Sequence, residues 1–170
     1  LFKKNGITTV PGRGTLAGPG KVRVTPRDGP PVTLDSGATI VATGSAIRGL
    51  PGVEFDGETI IHSDHALTRK TVPGSMIVLG AGAVGVEFAS MFARFGSTVT
   101  VIEMLPRILP LDDEEISAEA HKVLAKQMAI HTGAKTEAAL KTSNGVEVGF
   151  RTAQGESRTV TAELLLLAVG

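Results

Sequence analysis

The 170 residues suffice for one ordinary domain or two small ones, and 42% hydrophobic against 20% charged residues describes a chain that folds rather than stays disordered. Seventeen basic residues balance seventeen acidic ones, so nothing recommends a nucleic-acid or anionic-membrane surface. Cysteine is absent, which excludes disulfides, thiolate metal sites and a cysteine nucleophile within these residues. No apolar run approaches the roughly 20 residues that span a bilayer, and the N-terminus lacks a signal-peptide pattern, so a cytoplasmic location is expected. The opening "LFKKNG" has no Met, and the closing "AELLLLAVG" reads as a strand cut at its end. Both read as marks of an internal segment of a longer protein.

Residues 7–43 alternate β-like runs with turn signals: "ITTV", "PG", "KVRV", "PRDGPP" and "ATIVATG". The small apolar run 38–42 predicts a strand buried on both faces. Residues 44–75 carry Gly, Pro and polar clusters, and the break at Val72, Pro73 and Gly74 predicts a domain boundary.

From Met76 the pattern changes to strand, helix, strand, helix. Val84, Phe88, Met91, Phe92 and Phe95 follow helical spacing, and Gly96 offers a left-handed stop. Thr98 to Ile102 is β-branched and strand-like. A second helix is predicted from near Asp112, with Glu115 as capping-box partner and Ile116, Ala120, Val123, Leu124 and Met128 as its apolar stripe. Two hairpin signals, "SNGV" and "AQGE", precede a buried run from Leu164 to Val169.

The sequence "GAGAVGVE" (residues 80–87) lies between the first predicted strand and the first predicted helix of this half. Gly80, Gly82 and Gly85 therefore meet the context that a dinucleotide-binding turn requires. In that reading Gly80 makes the tight turn, Gly82 lets backbone amides approach a pyrophosphate, and Gly85 lets the helix pack closely on the sheet. The helix N-terminus supplies unpaired N–H groups and a partial positive charge. Glu103 closes the next strand at the distance expected for an acid that accepts the ribose hydroxyls of adenosine. A 2′-phosphate would be repelled there, which favours NAD over NADP. The turn by itself does not separate NAD from FAD.

Other motifs carry less. His62 and His65 form H-x-x-H with no further ligand cluster and read as a polar loop. "GPGKV" lacks the first glycine and the Ser/Thr of a phosphate loop, and no G-x-S-x-G elbow occurs. "DDEE" (residues 112–115) reads as a helix N-terminus in the favourable dipole direction. Arg107 either approaches the adenosine phosphate or is solvated.

The segments "LFKKNGITTVPGRG", "ATIVATGS", "TVPGSMIVLGAGAVGVEFASMFARFGSTVTVIEMLPRILP" and "LLLLAVG" together resemble the pyridine nucleotide-disulfide oxidoreductase family. The resemblance implies a three-layer, Rossmann-like α/β domain with a parallel sheet and a β-meander at residues 73–170, binding NAD. Residues 1–72 would be part of a flavin-domain β-region and a connector. It implies Gly80, Ala81, Gly82, Ala83, Val84, Gly85, Glu87 and Glu103 as NAD-binding residues, with Glu87 beside the nicotinamide ribose, and Gly170 as a cofactor-binding residue. Ala42, Thr43 and Gly44, with Ser63, would lie near FAD or the domain junction. The whole protein would be a homodimeric enzyme using NAD/NADH and FAD, oxidising dihydrolipoamide on a lipoyl-bearing protein, with no nucleic-acid or membrane partner and no metal. Its redox cysteines would precede these residues and its acid/base pair would follow them, so this segment alone is expected to be inactive. Mercuric reductase and NADH oxidase chemistry, or nucleotide binding without redox activity, stay open as alternatives. Met128 stands where the family ends its second helix with glycine, which leaves the path of residues 128–135 open.

Overall fold

The computed structural model describes residues 1–169, and the chain divides into two compact units, Leu1–Ser45 and Ala46–Gly170. The first unit is built on an antiparallel sheet of β1 (Arg13–Leu16), β2 (Lys21–Thr25) and β3 (Val32–Asp35) in that spatial order. Residues 7–10 and 38–42 are not strands, contrary to the expectation from their composition. Ile40 is 91% exposed. A β-like run holds its conformation through ladder partners, and among the described residues none pairs with either run.

In the second unit, β4 (Ile60–Ile61), β5 (Ser75–Leu79), β6 (Thr98–Ile102), β7 (Ala129–His131) and β11 (Leu164–Leu167) form one parallel sheet. Their spatial order is β4-β11-β5-β6-β7. The short helix α1 (Ser63–Leu67) follows β4, α2 (Ala83–Arg94) joins β5 to β6, and α3 (Glu114–Leu124) lies between β6 and β7. The expected meander is β8 (Lys135–Thr142), β9 (Gly145–Arg151) and β10 (Ser157–Ala162), an antiparallel sheet turned at the two predicted hairpin sites.

Side-chain alternation along the strands divides the core in two, because successive residues face opposite sides of a sheet. Met76, Val78, Val99, Val101, Leu164 and Leu166 pack on one face with Phe88, Ala89 and Phe92 of α2. Ile77, Leu79, Ile102, Leu165 and Leu167 pack on the other with Val146, Val148 and Phe150 of the meander. Burying each such side chain contributes about 1.5–3 kcal/mol, and both faces are filled. This is the expected three-layer arrangement.

The helices differ from the sequence reading in detail. In α2, Phe88 and Phe92 are buried, whereas Val84 and Phe95 are exposed at the two ends of the stripe. Gly96 sits at φ +102° and stops the helix as expected. The N-cap of α3 is Asp113 rather than Asp112, and no side-chain capping bond forms. Asp112 lies one residue outside the cap, too far back to complete a box with Glu115. Ile116 and Val123 are exposed, while Ala120 and Leu124 pack on the core and Ser117 is buried in their row. Beyond α3 the Met128 amide bonds the Leu124 carbonyl at 3.2 Å and its side chain is buried, leading into β7. An apolar side chain anchors the turn where glycine was expected.

Candidate functional site

The sheet order fixes where a ligand crevice opens. From β5 the chain moves one way to β6 and β7, whereas β11 pairs on the opposite side of β5. The carboxyl ends of β5 and β11 are thus a topological switch point, the place where open α/β sheets bind ligands. Residues 80–82 and 168–169 leave the sheet there side by side. The Ala168 amide bonds the Leu79 carbonyl at 2.7 Å, and the Gly80 amide bonds the Ile102 carbonyl at 2.9 Å.

Two of the three glycines are required by close backbone approach, and the third leaves open space. Gly80 has φ +97°, and a Cβ on it would collide with the Ala168 carbonyl. A Cβ on Gly85 would strike the Gly80 carbonyl oxygen and come within 3.3 Å of the Ala168 Cβ, so helix and turn approach as closely as backbone allows. Gly82 is the exception. It is the N-cap of α2 in extended conformation, and a Cβ there would meet nothing within 4 Å. No packing demands glycine at 82; what the residue leaves free is space at the helix N-terminus. The first-turn amides of Ala83, Val84 and Gly85 have no intrahelical acceptor, and the helix dipole adds partial positive charge. A group with anionic oxygens fits that space.

Glu103 sits beside the turn and is 7% exposed. Its Oε2 accepts from the Ala81 amide at 2.6 Å and its Oε1 from the Leu105 amide at 2.7 Å. A carboxylate oxygen has two lone-pair sites, so each retains one for a further donor such as a ribose hydroxyl. The carboxylate is thus part of the turn itself and keeps acceptor capacity beside it.

The structure thus brings together Gly80, Ala81, Gly82, Ala83, Val84, Gly85 and Glu103. Glu87 is exposed one turn along α2, on the wall of a surface groove of about 440 Å³ that Val86, Met91, Arg94 and Phe95 also line. Ala42, Thr43 and Gly44 belong to the other compact unit and are exposed in irregular backbone. Gly170 lies outside the described residues. Ser63 begins α1. Arg107 turns to its own loop: its Nη2 donates to the carbonyls of Pro110 (3.1 Å) and Asp112 (3.3 Å), and its Nη1 lies 3.0 Å from Glu114. The rings of His62 and His65 lie with centroids 3.7 Å apart and their planes tilted by 39°, and among the described residues no group of three His, Cys, Asp or Glu gathers around a metal position.

Two participants were missed by sequence reasoning. Ala168 closes the turn from β11, a neighbour set by strand order that no local signal announces. Leu109 donates its amide to the Ala81 carbonyl at 2.7 Å from a left-handed conformation, φ +46°. The flanking Pro110 marks a turn in the sequence but not its direction.

A parallel sheet between helices and a β-meander, with the glycine turn at its switch point, is the FAD/NAD-binding fold of the flavoprotein disulfide reductases. The family model described as pyridine nucleotide-disulphide oxidoreductase matches residues 1–170, and the chain belongs to that family. It is 40% identical to a dihydrolipoyl dehydrogenase of Chlorobaculum tepidum, covering 100% of this chain and 36% of the relative. To the mitochondrial dihydrolipoyl dehydrogenase of Homo sapiens it is 36% identical, with 100% and 34% covered. Among solved structures, LpdA from Mycobacterium tuberculosis superposes with TM-score 0.79 at 27% identity, over 99% of this chain and 37% of that one. The Cu(II) complex of the HOCl-induced flavoprotein disulfide reductase RclA from Escherichia coli gives a TM-score of 0.74 at 29% identity, over 100% and 38%. The chain therefore spans little more than a third of the length of the relatives it matches.

Proposed function

We propose that residues 73–170 form the NAD(H)-binding domain of a flavoprotein disulfide reductase of the dihydrolipoyl dehydrogenase type, and that residues 1–72 contribute to its flavin domain and connector. The observation that carries the reading is the free space at Gly82, at the N-terminus of α2, next to an Ala81 amide that the Glu103 carboxylate holds. The amides of residues 83–85 hold the pyrophosphate, Glu103 holds the adenosine ribose, and Glu87 lies toward the nicotinamide end. Bound NAD supplies a hydride acceptor, and NADH a hydride donor. The chain's own part is to bind and orient. In the whole protein the resemblance further supports FAD beside Ala42, Thr43 and Gly44, Gly170 at the cofactor, a homodimer, a lipoyl-bearing protein as substrate and a cytoplasmic location. Among the described residues no helix is long and apolar enough to cross a membrane.

Calorimetric titration with NADH tests the site. Gly82→Val fills the space and should abolish binding while circular dichroism stays unchanged, because its side chain meets no protein atom near the backbone. Gly85→Ala behaves differently: its Cβ strikes the Gly80 carbonyl and lowers stability itself. Unchanged NADH affinity in Gly82→Val would remove the central support of the reading.

A further inference from the structure

Ala81, at the heart of the glycine turn, is held through both of its backbone groups. Its N–H donates to Glu103 and its carbonyl accepts from Leu109. Leu109 is the one non-glycine residue at positive φ among the described residues, a conformation that costs free energy and persists only where its surroundings enforce it. The enforcement is visible. The hydroxyl of Ser117, buried in α3, donates to the carbonyl of Ile108 at 2.6 Å, and the Ile108 side chain is itself buried in the core. Arg107 closes the far side of the loop on the Pro110 and Asp112 carbonyls. A serine inside a helix ordinarily bonds its own helix backbone or solvent. Here it reaches out of the helix to the residue before the strained one.

We propose that Ser117 is a positioning residue for the dinucleotide site. It acts through Ile108 and Leu109 to fix the Ala81 carbonyl, and with it the direction of the amides that meet the pyrophosphate. The inference rests on the nucleotide-binding reading above. Because the phosphate turn is common to every form of the cofactor, loss of the brace weakens all forms by one factor. Selectivity at Glu103 is left as it was.

The test is a series at residue 117 in the 170-residue chain, titrated with ADP-ribose, NADH and NADPH. Ser117→Ala leaves the Ile108 carbonyl without its donor and should weaken ADP-ribose and NADH alike, by about three- to thirtyfold, the range expected for one buried hydrogen bond. The NADH-to-NADPH ratio should not move. Ser117→Cys keeps the volume with a weaker donor and should fall between, and it carries the test if the alanine variant does not fold. Amide hydrogen exchange should quicken at Ala81 and Leu109 in both variants. Val148→Ala, in the core on the opposite face of the sheet, lowers general stability and should leave affinities within about twofold below its melting range. Wild-type affinities in Ser117→Ala, a loss no larger than that of Val148→Ala, or a changed NADH-to-NADPH ratio would each overturn the inference. If the wild-type chain binds none of the three ligands, the functional reading itself fails; if it binds them and Ser117→Ala does too, only the brace is wrong.

Discussion

On the proposed function Glu103 carries two tasks, and they cannot be altered separately. Placing a 2′-phosphate near its carboxylate brings like charges together, worth about 4 kcal/mol at ~4 Å and an effective dielectric near 20. Solvent reduces this, so a preference of roughly tenfold to a few hundredfold for NADH over NADPH is expected. The same carboxylate also accepts the Ala81 and Leu105 amides. Glu103→Arg would remove the repulsion and also both acceptors, leaving the buried Ala81 amide and the partly buried Leu105 amide without partners. We expect that variant to lose affinity for NADH and NADPH together while the ratio between them shrinks or inverts. Glu103→Gln keeps one carbonyl oxygen but turns an NH₂ toward one of the two amides. It should weaken NADH and narrow the preference, with a smaller loss of affinity than the arginine variant. Titration of both cofactors at two salt concentrations measures this. Equal affinities in the wild type would mean that the acid does not face the ribose.

At the scale of elements, the sequence was most informative where a period and a turn coincided. The run 76–79, the glycine turn, α2 with its Gly96 stop, β6 and both hairpins all follow from local pattern, because each buries a face its own residues define. What local pattern could not supply is partnership. The runs 7–10 and 38–42 have strand composition but no ladder partner among the described residues. The exposure of Ile116 and Val123 depends on what α3 packs against. Ala168 and Leu109 reach the turn only through strand order and loop direction. A further non-local tie joins the loop before β4 to the meander. Asp56 accepts from the amides of Glu58, Thr59 and Ile60 at 2.8–2.9 Å and pairs with Lys141 of β8, 85 residues away. Burial by itself would raise the Asp56 carboxyl, but the Lys141 bond and the three amides outweigh it and hold it far below the usual 3.8. A carboxyl depressed in the folded state stabilises fully above its unfolded value, and that stabilisation is lost as pH falls through the acid range. Asp56→Asn should therefore cost about 1–3 kcal/mol at neutral pH, as for hydrogen bonds to a charged group. It should also flatten the fall in stability below about pH 5. Denaturant unfolding at several pH values tests both; parallel pH profiles for variant and wild type would show that this carboxylate does not set the acid limb.

At the scale of the whole molecule, the proposed function has the chain hold a cofactor without using it. The compact unit Ala46–Gly170 contains the complete glycine turn, the switch-point crevice and Glu103, while the sequence contains no cysteine to exchange with a disulfide. The purified 170-residue chain should therefore bind NADH and yet show no lipoamide-dependent turnover. Binding is read without any redox step, because a ligand that favours the folded state stabilises it by RT ln(1 + [L]/Kd). At a hundredfold excess over Kd that is about 2.7 kcal/mol. For a unit of this size the melting temperature should rise by roughly 5–10 °C with NADH, and by less with NADPH at the same concentration. Gly82→Val should melt at the wild-type temperature and fail to respond to either, which separates loss of the site from loss of the fold. In the same preparation, dihydrolipoamide and NAD together should give no NADH absorbance above the uncatalysed rate. Appreciable turnover would place redox chemistry within these residues, against the assignment of that chemistry elsewhere in the protein. A melting temperature indifferent to NADH would leave family membership intact and remove the claim that this segment holds the nucleotide.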